Sequence, residues 1–171
     1  NYQFRTIRDN ALKLIMEAQK YIYIQTPYFV PDDSVLEALK IASLSGVKIK
    51  IMIPDKPDHF FIYWINQYFV GELLDLGVEV YKYNKGFIHS KLIVVDDEVV
   101  STGTANFDYR SFYQNFEINV NIYEKDVAQS FRKIFFNDIK HSTRLLRSEY
   151  SKRSYYIKFK ESVCRLLAPI M

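Results

Sequence analysis

The chain is poor in the residues that hold small domains together by covalent or metal links. It has one cysteine, Cys164, in 171 residues. No internal disulfide can form, and the thiol reads most simply as a small packed group in a reducing compartment. Histidines number three, His59, His89 and His141, and none stands with another histidine or the cysteine at metal-ligand spacing, which argues against a metal site. No uninterrupted run of about 18 apolar residues occurs, so no bilayer-spanning helix is expected, and no signal-peptide pattern is visible. Internal repeats and low-complexity linkers are likewise missing. What the chain does have is 49% hydrophobic residues, sufficient over this length for one well-buried domain.

Helical and strand periods alternate along it. Thr6-x-x-Asp9 has the form of a capping box, and Ile7, Ala11, Leu14, Ile15 and Ala18 recur at helical spacing. Residues 21–26 read as a strand. Pro31-Asp32-Asp33-Ser34 opens a helix that carries Leu36, Leu39 and Ala42 and stops at Gly46. Val47, Ile49, Ile51 and Ile53 alternate as a strand, residues 60–75 form a helix ended by Gly77, and residues 78–83 a further strand. Strands separated by helices imply an α/β fold, a mixed and largely parallel sheet with helices on both faces.

The densest chemistry lies in His89-Ser-Lys91-Leu-Ile-Val-Val-Asp96, followed by Gly103-Thr104-Ala-Asn106 and then Glu117. The apolar, β-branched run predicts a buried strand over 88–95, in which His89 and Lys91 share a face and Asp96 has the opposite parity. Asp96-Asp97-Glu98 breaks this run before Val99–Ser101, so a hairpin turns near Asp96. Asp96 is thereby assigned a structural task, holding the turn or a neighbouring cation. Gly103 permits close backbone approach to a ligand, while Thr104 and Asn106 offer donors where a short helix begins, a setting that attracts phosphate. Glu117, in the strand-like segment 116–122, is placed to bond an imidazole and fix its tautomer. Singly these are ordinary residues: a histidine at a strand end, a solvated lysine, a turn. In combination they are the inventory of a phosphoryl-transfer site.

The pattern His89-x-Lys91-x4-Asp96-x6-Gly103-Thr-x-Asn106 resembles the HKD signature of the phospholipase D superfamily. Tyr28-Phe-Val-Pro-Asp-Asp-Ser34, Ile51-Met-Ile-Pro-Asp-Lys-Pro-Asp-His59, Gly86-Phe-Ile-His-Ser-Lys91, the run from Gly103 to Phe112, Asn115-Phe-Glu117 and the terminal Leu166-Leu-Ala-Pro-Ile-Met171 are similar to the C-terminal half of bacterial cardiolipin synthases. Thr104 departs slightly, standing where many superfamily members have serine; either hydroxyl can donate to phosphate. The resemblance implies a phospholipase D-like α/β/α sandwich and transfer of a phosphatidyl group between two phosphatidylglycerol molecules, through a phosphohistidine and without metal or soluble cofactor. His89, Lys91, Asn106 and Glu117 would be catalytic, with Lys91, Gly103, Thr104 and Asn106 around the phosphate.

The family builds one site from two such motifs, and here there is one: His59 is followed by Phe-Phe and His141 by Ser-Thr. The chain, which does not begin with methionine, therefore reads as an excised C-terminal half. Its implied partners are an anionic phospholipid substrate, a membrane surface, the N-terminal HKD half of the same enzyme and a possible homodimer, with no nucleic acid expected. By superfamily analogy the N-terminal motif supplies the usual nucleophile and His89 the acid/base. The implied location is the bacterial cell membrane, with the catalytic domain on the cytoplasmic side. A lipid hydrolase, a single-motif nuclease and a non-catalytic membrane module are the other classes the same residues allow.

Two segments carry further expectations. Residues 1–140 form the catalytic domain, while 141–171 form a basic aromatic helical tail. The tail has Arg144, Arg147, Lys152, Arg153, Lys158, Lys160 and Arg165 against Glu149 and Glu161, a net +5 beside −2 for the remainder. Such a tail either packs on the domain with a solvated basic face or lies in an anionic lipid interface, and a basic aromatic surface also suits nucleic acid. The helix over 60–75 is apolar around most of its circumference, which signals burial; the sharper reading has Phe60, Phe61 and Trp64 lining a route for acyl chains.

Overall fold

The computed structural model describes residues 5–56, 58 and 60–168, with Phe60 described by its backbone alone. The elements follow in chain order: α1 (Thr6–Glu17), β1 (Tyr21–Gln25), β2 (Phe29–Val30), α2 (Asp33–Leu44), β3 (Lys48–Pro54), α3 (Phe60–Leu74), β4 (Glu79–Tyr83) and β5 (Leu92–Val95). Then come β6 (Val99–Gly103), β7 (Phe107–Asp108), α4 (Tyr109–Tyr113), β8 (Asn119–Ile122), α5 (Lys125–Ile139), β9 (Ser142–Leu145), α6 (Arg147–Ser151) and α7 (Tyr155–Arg165).

Seven strands form one mixed sheet in the order β8-β6-β5-β1-β3-β4-β9. Parallel pairing joins β1, β3 and β4 at its centre, and the ladders to β5, β6, β8 and β9 are antiparallel. The residue-by-residue alternation of the strands sorts the core into two layers. Ile22, Ile24, Ile49, Ile51, Ile53, Val80, Ile93 and Val95 face one way, into a cluster with buried residues of α1, α2 and α3. Tyr23, Met52, Tyr81, Leu92, Val94 and Val100 face the other way, packing with Phe135 and, at its edge, Phe131 of α5. With both faces covered, the central strands carry buried apolar residues on both sides, as in a helix-flanked sheet. The expected α/β/α sandwich is the fold that forms.

Several local expectations are corrected. The proposed capping box does not form: α1 starts at Thr6 behind Arg5, without a side-chain cap bond, and Asp9 is bonded instead by Arg8 Nη1 at 2.8 Å. The working cap belongs to α2, where the Asp32 side chain accepts from Val35 N. At the start of the segment expected as a helical tail, Ser142–Leu145 is a sheet strand, antiparallel to β4. The helices α6 and α7 follow it, and α7 lies against α3.

In α3, Trp64 and Tyr68 pack on the core while Phe61 is 57% exposed. The side chain of Phe60, also expected on the acyl route, lies outside the described residues, as do His59 and residues 169–171. No described helix is long and apolar enough to cross a membrane.

Candidate active site

The sheet register brings the candidate residues to one edge. Leu92 of β5 pairs with Gln25, the last residue of β1, and with Thr102 of β6; Gly103 in turn pairs with Asn119 of β8. Residues 89–91, 103–106 and 117 therefore gather where the parallel strands end, the usual location of sites in α/β sheets. Asp96 is at the opposite end of β5, about 13 Å from Leu92 at the rise of an extended strand.

The strand expected over 88–95 is shorter, beginning at Leu92, so His89 and Lys91 lie in the segment that leads into it. Lys91 is buried, 9% exposed, whereas His89 is exposed. The Lys91 ammonium donates to the His89 carbonyl at 2.8 Å, and Thr102 Oγ1 donates to the Lys91 carbonyl at 2.9 Å. This double attachment fixes the lysine. Burial lowers its pKa below the ordinary lysine value, against the opposing pull of Glu117 and Asp108. Lys91 and Asn106 line one narrow crevice with Asn119 and Phe112. Phe87 sits beside the imidazole, with ring centroids 5.9 Å apart.

Asp96 is bound into the backbone. Its Oδ1 accepts from Lys20 N at 2.9 Å and Tyr21 N at 2.7 Å, and its Oδ2 from Gln19 N at 2.6 Å. Three amides that follow α1 are thus tied to the β5–β6 turn. Asp96 and Asp97 have φ of 56° and 60°, the left-handed conformation that a tight hairpin turn demands and that aspartate tolerates better than most residues.

The Gly103–Asn106 segment differs from expectation in its local physics. A Cβ at Gly103 would stand 2.0 Å from the Ile118 carbonyl oxygen and 2.5 Å from Asn119 Oδ1, so the close approach that requires glycine is that of the neighbouring chain. Thr104 is exposed and pairs with Ile118, donating its N–H to the Ile118 carbonyl and accepting the Ile118 N–H on Oγ1. The helix does not begin at Asn106 but at Tyr109, capped by Asp108, whose side chain accepts from Ser111 N at 2.7 Å.

Asp108 and Ser111 are the residues that sequence reasoning missed, although the Asp-x-x-Ser spacing is a helix-start signal. Asp108 is buried, and desolvation raises its pKa against hydrogen bonds from Ser111 and the Asn106 side chain. Ser111 Oγ accepts the Asn106 N–H at 3.1 Å and donates to Glu117 Oε1 at 3.0 Å. The Glu117 carboxylate is held also by Asn115 at 3.3 Å. Glu117 lies in the loop before β8 rather than in a strand, and among the described residues it bonds no imidazole. His141 precedes β9, four strand spacings from β5, roughly 19 Å across the sheet.

This arrangement defines a phospholipase D-like domain: a cation, an exposed imidazole and an anchored carboxylate at the end of a helix-flanked mixed sheet. Solved structures that share the fold include two of the same layout. One is a phospholipase D family member, Nuc from Salmonella typhimurium, with a TM-score of 0.72 at 23% identity, covering 81% of this chain and 90% of that one. The other is phosphatidylserine synthase of Haemophilus influenzae, with a TM-score of 0.74 at 17% identity, covering 96% of this chain and 42% of that one.

Sequence comparison narrows the class. Residues 11–139 match the family model described as cardiolipin synthase, PLD-like domain, and the chain belongs to that family. It is 50% identical over 169 residues to a cardiolipin synthase of Listeria monocytogenes serotype 4a, and 48% identical over the same length to one of Staphylococcus aureus strain Mu50. These alignments take in 99% of this chain but 35% and 34% of the relatives. The chain thus spans about a third of the length of the relatives it matches.

Proposed function

We propose that this chain contributes one motif to the two-motif active site of a cardiolipin synthase. The observation that supports it best is the incompleteness of the edge site. His89 is exposed beside buried Lys91, and Glu117 is held by Ser111 and Asn115 with no imidazole among the described residues bonded to it. A double displacement at phosphorus needs a nucleophile and a separate acid/base.

In the reaction proposed, the partner motif's histidine attacks the phosphorus of one phosphatidylglycerol. A P–N bond forms and the P–O bond to glycerol breaks, with His89 giving its proton to the departing glycerol oxygen. The hydroxyl of a second phosphatidylglycerol then attacks the phosphohistidine, giving its proton back to His89 as the P–N bond breaks and cardiolipin forms. Lys91, with Asn106 lining the same crevice, opposes the charge on the equatorial oxygens, and Thr104 could join them only by giving up its bond with Ile118. Glu117 orients the partner's imidazole and stabilises its cationic form.

The face that receives the other half is the apolar rim around the site. Phe116 and Ile118 are 107% and 69% exposed, and Phe87 and Val120 are exposed with them. With both substrates lipids, the complete enzyme works at a bacterial membrane.

The test is product analysis with phosphatidylglycerol. The full-length enzyme should yield cardiolipin and glycerol in equal amounts, and the 171-residue chain alone should yield neither. Phosphatidic acid as the main product of the full-length enzyme would mark a hydrolase, and turnover by the chain alone at the full enzyme's rate would remove the need for a second motif.

A further inference from the structure

Helix α7 has two apolar faces, and the domain uses one. Glu161 and Cys164, 2% and 8% exposed, with Ile157 partly buried, turn toward α3. The helix is locked there. Arg153 Nη2 bonds Glu161 Oε2 at 2.9 Å, and Tyr150 of α6 donates to the Gln67 carbonyl at 2.7 Å, passing so close to Gly71 that any side chain there would collide with it.

The opposite face is uncovered. Tyr155, Tyr156, Phe159 and Val163 are 90%, 65%, 67% and 46% exposed and fall within an arc of about 100° at 3.6 residues per turn. Leu166 and Leu167, 77% and 38% exposed, continue the stripe in the turn that follows.

The charges that α7 itself places around this stripe are of one sign, although Asp32 and Asp33 line a cavity beside Arg165 and Leu166. On the helical wheel Lys160 flanks it on one side, and Lys158 and Arg165 flank it on the other. Between residues 152 and 168 the sole carboxylate is Glu161, which is buried and paired with Arg153. The Lys160 ammonium stands 4.4 Å from the Tyr156 ring centroid and 5.5 Å from that of Trp64, and the Arg165 guanidinium 4.9 Å from that of Tyr68. Lys160 and Arg165 therefore sit at the rim of the apolar stripe, where α7 meets the rings of α3. An exposed aromatic and aliphatic stripe between two cationic flanks matches a bilayer interface in which apolar groups enter the acyl boundary and the flanks meet anionic headgroups.

We propose that the outward face of α7 is a docking surface for an anionic lipid bilayer, separate from the phosphate site. It rests on the reading above only in that a lipid-handling enzyme must lie against its substrate's membrane.

The experiment is flotation of the 171-residue chain with vesicles of equimolar phosphatidylserine and phosphatidylcholine, a headgroup mixture that lacks the proposed phosphatidyl donor. The chain should float with these vesicles, release as salt rises and stay behind with phosphatidylcholine alone. A Tyr155→Ser/Phe159→Ser/Leu166→Ser variant should keep its melting temperature, since all three positions are exposed, and lose binding about tenfold or more. Lys158→Gln/Lys160→Gln should lose a similar factor and bind with a weaker salt dependence. No flotation, or flotation of the stripe variant equal to the parent, overturns the proposal and leaves the face to another part of the enzyme. Glycerol release by the full-length enzyme is read separately, so failure of docking and failure of the catalytic assignment are distinguishable.

Discussion

Replacing Asp96 by alanine separates a structural role for the motif's aspartate from a catalytic one. The carboxylate accepts three backbone N–H bonds at 2.6 to 2.9 Å. Hydrogen bonds to a charged group are worth about 1.5–3 kcal/mol each when buried. Gln19 and Lys20 are exposed, so their amides regain water when the acceptor is lost, and the three together come to about 3 kcal/mol. Alanine at φ 56° adds about 1 kcal/mol of left-handed backbone strain. In a domain of 171 residues, each kcal/mol moves the melting temperature by about 2–4 °C, so Asp96→Ala should melt roughly 8–16 °C lower. Asp96→Asn keeps the backbone tolerance and one carbonyl acceptor and should lose about half as much. Followed by circular dichroism, with glycerol release measured well below the transition, both variants should be less stable yet turn over. An unaltered melting temperature with abolished turnover would refute the reasoning.

Lys91 should titrate below the ordinary lysine value of 10.5, so its positive charge, and with it transfer activity, is lost at a lower pH than for an exposed lysine. Because a depressed lysine pKa means the folded state releases its proton first, stability should rise with pH between the folded and unfolded values. Glu117→Gln removes a group that raises the Lys91 pKa and should shift its titration further down, as read by NMR of the labelled Cε; no movement would show the two charges to be uncoupled. Gly103→Ala forces a Cβ against the Ile118 carbonyl and should cost about 1–3 kcal/mol in thermal melts; a neutral effect would mean that β8 can move aside. Arg153→Met leaves Glu161 buried and unpaired and should cost about 3 kcal/mol near neutral pH. Burial already holds the Glu161 carboxyl above its usual value, against Arg153. Loss of the arginine raises it further, so the penalty should shrink as pH falls and the folded state takes up the proton; a penalty constant with pH would contradict this.

The sandwich and its core were legible because strand and helix periods recur, Ile49, Ile51 and Ile53 alternating and Ala11, Leu14 and Ile15 repeating at helical spacing, while α3 was read from a long apolar run. Short elements were not. The two-residue strands β2 and β7 exist through one ladder, Phe29 against Phe107, which no local pattern announces. The edge strand β9 has one apolar residue in four, Leu145, because an edge needs little burial. In the site, the motif spacing singled out His89, Lys91 and Glu117 as candidates, while Asp96 is set apart by the length of β5 rather than by parity, since His89 and Lys91 precede that strand. What sequence could not supply was competition for hydrogen bonds: Thr104 is occupied by Ile118, Asn106 by Asp108 and Ser111, and Gly103 is required by a strand brought close only by the tertiary fold.

The central claim, that the edge holding His89 is one half of a phosphatidyl-transfer site, is tested most directly by glycerol release from phosphatidylglycerol by the full-length enzyme carrying His89→Ala. Loss of a proton-transfer group should slow release by about two powers of ten or more, with no change in melting temperature, because the imidazole is exposed. Release at a near-normal rate by a folded His89→Ala enzyme would contradict the account.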